Sequence, residues 1–111
     1  MYSQGDIVVV RFPFTDGSEF KKRPALILSN AKVNKTGDYL LVQITSKTHH
    51  DDLSMIIDNR DCSNPLPLKS SIRAHKIFTA HESLLLSKIS KVTPFFLKQV
   101  SVKINTLMEI S

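Results

Sequence analysis

The chain has 111 residues, of which 41% are hydrophobic and 23% charged. We expect a single domain over residues 1–111, because this composition is that of an ordinary folded chain and argues against intrinsic disorder. No apolar run approaches the roughly 20 residues of a membrane span, and no signal-peptide pattern opens the sequence, so we expect a cytoplasmic protein with no membrane contact. The net charge of +5 suits an anionic partner such as nucleic acid. Cys62 is the one cysteine, which excludes an internal disulfide.

Short β-strands are predicted along most of the chain. The first covers residues 6–12, where four β-branched residues follow Gly5, and Pro13 ends it. A turn and a basic run follow, and the next strands are predicted over residues 24–29, 38–45 and 53–57. Residues 30–37 and 58–67 are polar loops, and residues 70–80 are extended. This spacing of strands and turns predicts a mainly β fold, either a small barrel or a strongly bent antiparallel sheet.

The C-terminal part changes to a helical period. Thr93 and Pro94 are a typical N-cap and first helical residue, and apolar residues then recur at helical spacing, which predicts a helix over residues 94–108. Its apolar face should close one side of the sheet. Residues 82–87 are interpreted as a short helical turn.

Cationic and hydroxyl side chains stand at the ends of the predicted strands. Arg23 precedes a proline and is therefore held extended at the start of the second strand. Thr45, Ser46 and Lys47 close the third strand, and Arg73 lies in the extended segment near His75. Guanidinium, hydroxyl and backbone N–H groups are those that bind a phosphodiester. A basic solvated loop is the structural alternative for the run around Arg23.

The histidines differ in their sequence surroundings and therefore in their interpretation. His75 follows Arg73 by two residues, which in a regular strand puts both on one face. Imidazole suits proton transfer near neutral pH, and a packed strand residue is the alternative. His49 and His50 precede two aspartates, but adjacent residues on an extended segment point apart, so we predict no metal site and no cofactor there. His49 is instead a candidate for the border of an RNA groove.

The order of these pieces resembles the MazF/PemK-like toxins of type II toxin–antitoxin pairs, over residues 5–107. The similar segments are GDIV at 5–8, FPFTDG at 12–17, KRPALI at 22–27, ITS at 44–46, SIR at 71–73 and KIFT at 76–79. The resemblance implies an SH3-like barrel with a C-terminal helix, acting as a homodimer. It also implies metal-independent, sequence-specific cleavage of single-stranded messenger RNA through the ribose 2′-OH.

Residue roles follow from the same resemblance. Arg23 and Thr45 match the family's catalytic arginine and threonine, Ser46 a phosphate-binding position, and Arg73 an arginine with an acid or phosphate-binding role in some members. Where some members have an acidic residue two positions later, this chain has His75, and Gln43 replaces a frequent proline. We count Arg23, Thr45, Arg73 and His75 as candidate catalytic residues. The candidate RNA-binding residues are Phe14, Lys21, Lys22, Ser46, Lys47, His49 and Lys69.

Three of the candidate residues have separate roles in the chemistry that the resemblance implies. Arg23 would stabilise a phosphorane, Thr45 would hydrogen-bond a phosphate oxygen, and His75 would carry a proton. The expected partners are single-stranded RNA and an acidic antitoxin, with operator DNA bound only through the antitoxin. A non-catalytic nucleic-acid-binding module and a partner-docking module on the same fold are the alternatives, because small barrels host many functions.

Overall fold

The computed structural model describes residues 1–13 and 20–111; Phe14 and the rest of residues 14–19 lie outside the described residues. The elements follow in the order β1 (Asp6–Pro13), β2 (Phe20–Ile27), α1 (Ala31–Asn34), β3 (Asp38–Thr45), β4 (Ser54–Ile57), β5 (Ser70–His81), β6 (Leu85–Lys91) and α2 (Pro94–Leu107). The predicted mainly β fold with a C-terminal helix is confirmed.

The six strands form one antiparallel sheet in the order β4-β5-β3-β2-β1-β6. Its edges β4 and β6 do not pair with each other in residues 1–13 and 20–111, so the barrel-like sheet is open. The gap between them is spanned by the segment that follows β4. Ser63 N–H donates to the Lys91 carbonyl at 2.8 Å, and Thr93 N–H donates to the Asp61 carbonyl at 2.8 Å.

Alternation along the strands gives the sheet two buried faces. On β1, Ile7 belongs to one apolar cluster and Val8 to the other. The first cluster is covered by α2 through Phe96, Val100 and Ile104. Thr93 accepts a hydrogen bond from the Phe96 N–H and so caps α2 as predicted, and the helix ends one residue before the expected position.

Two local predictions were wrong, and a third was correct only in part. The basic run belongs to β2, which begins at Phe20 rather than at residue 24, because it pairs with β1 as far as Pro13. Residues 31–34 form a single helical turn capped by the Asn30 side chain rather than a plain loop. The predicted helical turn at residues 82–87 is a short 3₁₀ turn (Glu82–Leu84) that leads into β6, a strand missing from the sequence prediction.

Candidate RNA-binding groove

A basic groove opens where β2 and β3 stop pairing. The ladder between these strands covers Ala25 opposite Gln43 through Ile27 opposite Leu41 and goes no further. Continuing this register would set Pro24 opposite Ile44 and Arg23 opposite Thr45. Pro24 has no N–H with which to extend a ladder. The two strand ends therefore stand beside each other without main-chain pairing, and the space between them is a groove.

The groove encloses about 540 Å³. Its floor includes Ile44, a buried residue of the core cluster under α2, together with the half-buried Ile89. The described residues that line it are Val9, Lys21, Lys22, Arg23, Pro24, Ile44, Thr45, Ser46, Lys47, Leu66, Pro67, Leu68, Ser70 and Ile89. An apolar floor with cationic and hydroxyl groups around it suits a ligand that has both flat apolar rings and negative charge.

Arg23 is exposed but stands on a rigid support. Its strand remains paired with β1 on one side, where Arg23 lies opposite the buried Val10. On its other side, no strand of residues 1–13 and 20–111 pairs with β2 at this position. The backbone of Arg23 is thus fixed while its guanidinium is open to solvent, a combination that suits repeated binding of an anion in one geometry.

The hydroxyl of Thr45 is oriented by the backbone beyond it. The Lys47 N–H donates to Thr45 Oγ1 at 3.1 Å, in the turn that ends β3. This bond occupies an acceptor lone pair and leaves the hydroxyl hydrogen available as a donor. Ser46 and Lys47 are exposed in the same turn and also line the groove. Six of the predicted residues, Lys21, Lys22, Arg23, Thr45, Ser46 and Lys47, therefore meet at one place.

Arg73 does not line the groove. Its side chain is only 10% exposed and its Nη1 donates to Asp51 Oδ1 at 2.9 Å. Nη2 donates to Asp51 Oδ2 at 3.2 Å, and Nη1 donates also to Ser54 Oγ at 2.8 Å. The Arg73 guanidinium, followed by the Leu53 N–H, lowers the pKa of Asp51 from its usual range.

His75 is separated from Arg73 by an irregularity in β5. Residues 73–76 stand opposite the single residue Gln43 of β3, between the pairs Ile72–Ile44 and Ile77–Val42. The alternation expected of a regular strand is interrupted, since Ile72, Arg73 and Ala74 are all buried and His75 is exposed. The premise that Arg73 and His75 lie on one face was therefore wrong.

The remaining predicted residues lie around the groove or outside the described chain. Lys69 is exposed and lines a neighbouring depression of about 350 Å³, which shares Leu66 and Leu68 with the groove. His49 is exposed in the segment between β3 and β4. Phe14 falls outside the described residues. In residues 1–13 and 20–111, no group of three His, Cys, Asp or Glu residues is arranged to hold a metal ion.

A larger depression, of about 840 Å³, lies between β4 and α2. Its lining contains Asp58, Asp61 and Arg60 beside apolar groups such as Phe95, and none of the predicted site residues. Its charges are mixed, and the Thr93 hydroxyl in its lining already caps α2, so it is less suited to a phosphodiester than the groove. Sequence reasoning did not find the apolar floor of the groove, because Leu66 and Ile89 come from a loop and from the unpredicted strand β6.

Comparison with known proteins bears on this arrangement. A family model described as PemK-like, MazF-like toxin of type II toxin–antitoxin system matches residues 3–108. The chain belongs to this family. No curated protein sequence matches the toxin significantly.

Solved structures share the toxin's fold at low sequence identity. The MazE–MazF complex from Deinococcus radiodurans has a TM-score of 0.82 and 22% identity, covering 99% of this chain and 97% of that one. An endoribonuclease in complex with its cognate antitoxin from Mycobacterial species has a TM-score of 0.79 and 19% identity, with both chains covered completely. Toxin MazF-mt6 of Mycobacterium tuberculosis has a TM-score of 0.75 and 17% identity, covering 96% and 98%. No helix of the described residues is long and apolar enough to cross a membrane.

Proposed function

We propose that this toxin is a metal-independent, sequence-specific endoribonuclease that cleaves single-stranded messenger RNA in the cytoplasm. The observation that carries the proposal is the groove that opens where β2 and β3 stop pairing, because Arg23 and Thr45 both line it just beyond the last pair of the ladder. Family membership and the endoribonuclease described among the related structures support the same activity.

Each groove residue has a part in the proposed reaction. The 2′-OH attacks the adjacent phosphorus, the bond to the 5′ oxygen breaks, and a 2′,3′-cyclic phosphate is left. Arg23 stabilises the charge that develops on the phosphoryl oxygens, because its guanidinium is a planar cation with several N–H donors. Thr45 donates its hydroxyl hydrogen to one of these oxygens, and Ser46 binds the phosphate beside it. Lys21, Lys22 and Lys47 attract the RNA backbone.

Among the described residues, those that line the groove include no carboxylate and no imidazole. Proton transfer is assigned to His75, an exposed imidazole on β5. It takes the proton of the attacking 2′-OH and returns a proton to the departing 5′ oxygen, which requires the bound RNA to bring the reacting ribose within hydrogen-bond reach of His75. His49 and Lys69 would contact RNA that extends beyond the groove. The same observation favours a second candidate function, in which the groove binds RNA without cutting it.

Cleavage in the presence of EDTA tests the proposal. The wild-type toxin should cut single-stranded RNA and leave a cyclic phosphate, and Arg23→Ala should lower kcat by about 100- to 1000-fold, the usual effect of removing one preorganised donor. Lys98→Gln is the matched control, because it removes a positive charge from an exposed position on α2, away from the groove. Activity that required a divalent metal, or that survived Arg23→Ala unchanged, would contradict the mechanism. RNA binding without cleavage would favour the second candidate.

We propose further that an acidic antitoxin inhibits the toxin by occupying the same basic groove. The related MazE–MazF and cognate-antitoxin complexes support a protein partner of this kind. An anionic segment would compete with RNA for Lys21, Lys22 and Lys47, and the competition should weaken as salt rises. Titration of the antitoxin against labelled, uncleavable RNA tests this, and a ternary complex with undiminished RNA affinity would contradict it. A homodimeric toxin, and operator DNA bound only through the antitoxin, complete the proposal.

A further inference from the structure

Arg73 and Asp51 form a clamp at the far end of the segment that carries Ser46 and Lys47. Residues 46–53 connect β3 to β4. At its beginning, the Lys47 N–H is bound to Thr45 Oγ1. At its end, Asp51 receives two hydrogen bonds from Arg73 and one from the Leu53 N–H at 3.1 Å. The segment is thus tied to strand ends on both sides.

The backbone reinforces the clamp. The Ala74 N–H donates to the Leu53 carbonyl at 2.9 Å, directly beside the side-chain pair. Arg73 lies opposite Ser54 in the pairing of β4 with β5, and the Ser54 hydroxyl accepts from Nη1 at 2.8 Å. A planar guanidinium with three such acceptor contacts has little freedom to turn towards another anion.

Burial makes the loss of either partner of the Arg73–Asp51 ion pair costly. The Arg73 side chain is 10% exposed and that of Asp51 is 40% exposed, so the cation is the more desolvated partner. A buried cation that lost its carboxylate would have to find another anion or move towards solvent. Either movement would displace the end of the segment that begins with Ser46 and Lys47.

The clamp also lies close to the groove along the sheet. Ser71 of β5 is paired with Thr45 of β3, and Arg73 follows Ser71 by two residues. Arg73 is therefore two residues along β5 from the strand partner of the catalytic candidate Thr45. Its guanidinium, however, is directed towards Asp51 and β4.

We propose that Arg73 is a positioning residue and that Asp51 is its obligatory partner. The pair holds residues 46–53 so that Ser46 and Lys47 present their side chains to the phosphate in the groove, while the Lys47 N–H remains bound to Thr45 Oγ1. This inference rests on the proposed function, and it gives Arg73 a role through Asp51 rather than through direct contact with RNA.

A double-mutant cycle with Asp51→Asn and Arg73→Gln tests the role. Asp51→Asn should lower kcat by about 10- to 100-fold, as expected for a small displacement of binding groups. Because Arg73 acts through Asp51, adding Arg73→Gln to Asp51→Asn should cost little more. The affinity for uncleavable RNA should change much less than kcat, since Lys21 and Lys22 belong to β2 and lie outside the segment that the clamp holds. Asp52→Asn is the matched control, because it removes the same charge from the neighbouring exposed residue.

A direct role of Arg73 would give the opposite pattern. If Arg73 contacts RNA and Asp51 merely restrains it, Asp51→Asn should keep or increase activity, and Arg73→Gln should then abolish it. That result would overturn the proposal. Ser54→Ala, which removes one acceptor from Nη1 and leaves the ion pair in place, should give a smaller loss of kcat in a variant that remains folded.

Amide hydrogen exchange tests the clamp independently of the proposed catalytic activity. The Lys47 and Ala74 amides, hydrogen-bonded at the two ends of the segment, should exchange faster in Asp51→Asn than in wild type or Asp52→Asn. This readout needs no cleavage, so it tests the clamp even if the protein proves to bind RNA without cutting it. Unchanged exchange at both amides in Asp51→Asn would refute the clamp whatever the activity.

Discussion

Truncation of Val100 at the centre of α2 should destabilise the toxin by about 2 kcal/mol. Val100 is 0% exposed and packs in the apolar cluster under the helix. Val100→Ala removes two buried methyl groups, which contribute about 1.6 kcal/mol at roughly 0.8 kcal/mol per carbon. A residual cavity adds to this loss, while the higher helix propensity of alanine returns about 0.5 kcal/mol.

Val102 on the same helix supplies the control. It is 53% exposed, so Val102→Ala removes the same two methyl groups from a position near solvent. We expect an effect within about 0.5 kcal/mol, with a slight gain from helix propensity. The two substitutions are chemically identical, so their difference isolates burial.

Urea unfolding followed by circular dichroism gives the comparison directly. The midpoint of Val100→Ala should fall with an unchanged slope, and its Tm should drop by about 8 °C, since about 1 kcal/mol corresponds to roughly 4 °C for a domain of this size. Equal stabilities of Val100→Ala and Val102→Ala would refute the packing of α2 on the sheet. The same result would contradict the view that the core under α2 supports Ile44 in the floor of the groove.

Three further predictions concern single side chains. Loss of the N-cap in Thr93→Ala should cost about 1 kcal/mol in urea unfolding, whereas Thr93→Ser should cost less because serine can accept the same hydrogen bond from Phe96. If His75 transfers a proton, His75→Gln should flatten the near-neutral limb of the pH–rate profile, and an unchanged profile would contradict that role. Because Arg73 lowers the folded-state pKa of Asp51 below its ordinary 3.8, the pair stabilises the protein above that pH. The stability difference between wild type and Asp51→Asn should therefore be constant near neutral pH and shrink as acid titrates Asp51 through its lowered pKa.

The elements that sequence reasoning predicted best are those whose signals are local. β1 is marked by consecutive β-branched residues, and α2 by Thr93 and Pro94 ahead of a helical apolar period. β6 was missed because its alternation is weak and its pairing with β1 has two register shifts. Its Ser90 is buried only because the hydroxyl bonds to Asn64, a residue 26 positions away. A contact between residues so far apart in the chain produces no periodic pattern in the sequence.

The site was predictable where function depends on strand ends and less so where it depends on distant partners. Arg23 stands just before the predicted second strand and Thr45 closes the third, so their proximity follows from antiparallel pairing of these consecutive strands. The partner of Arg73 could not be derived in this way, since Asp51 is 22 residues away in a loop. A signal was present in the sequence, because Asp51 follows two histidines in a polar run. The same run also has the residue types of a metal cluster, so its composition does not by itself indicate an acceptor for a strand arginine.

The extension of β2 beyond the predicted start changes the physical account of Arg23. A guanidinium on a loop would lose conformational entropy on each binding event, and the loss would oppose binding. Placed within β2, Arg23 has a backbone already fixed by pairing with β1, while the missing ladder towards β3 leaves room for a ligand. Pro24 contributes to both properties, because it restricts the backbone of Arg23 and offers no N–H towards a continued ladder. The order of arginine before proline therefore matters, because it puts the cation two residues beyond Ala25, the last residue of β2 that pairs with β3. The reverse order would move the cation next to the last pair and onto the other face of the strand.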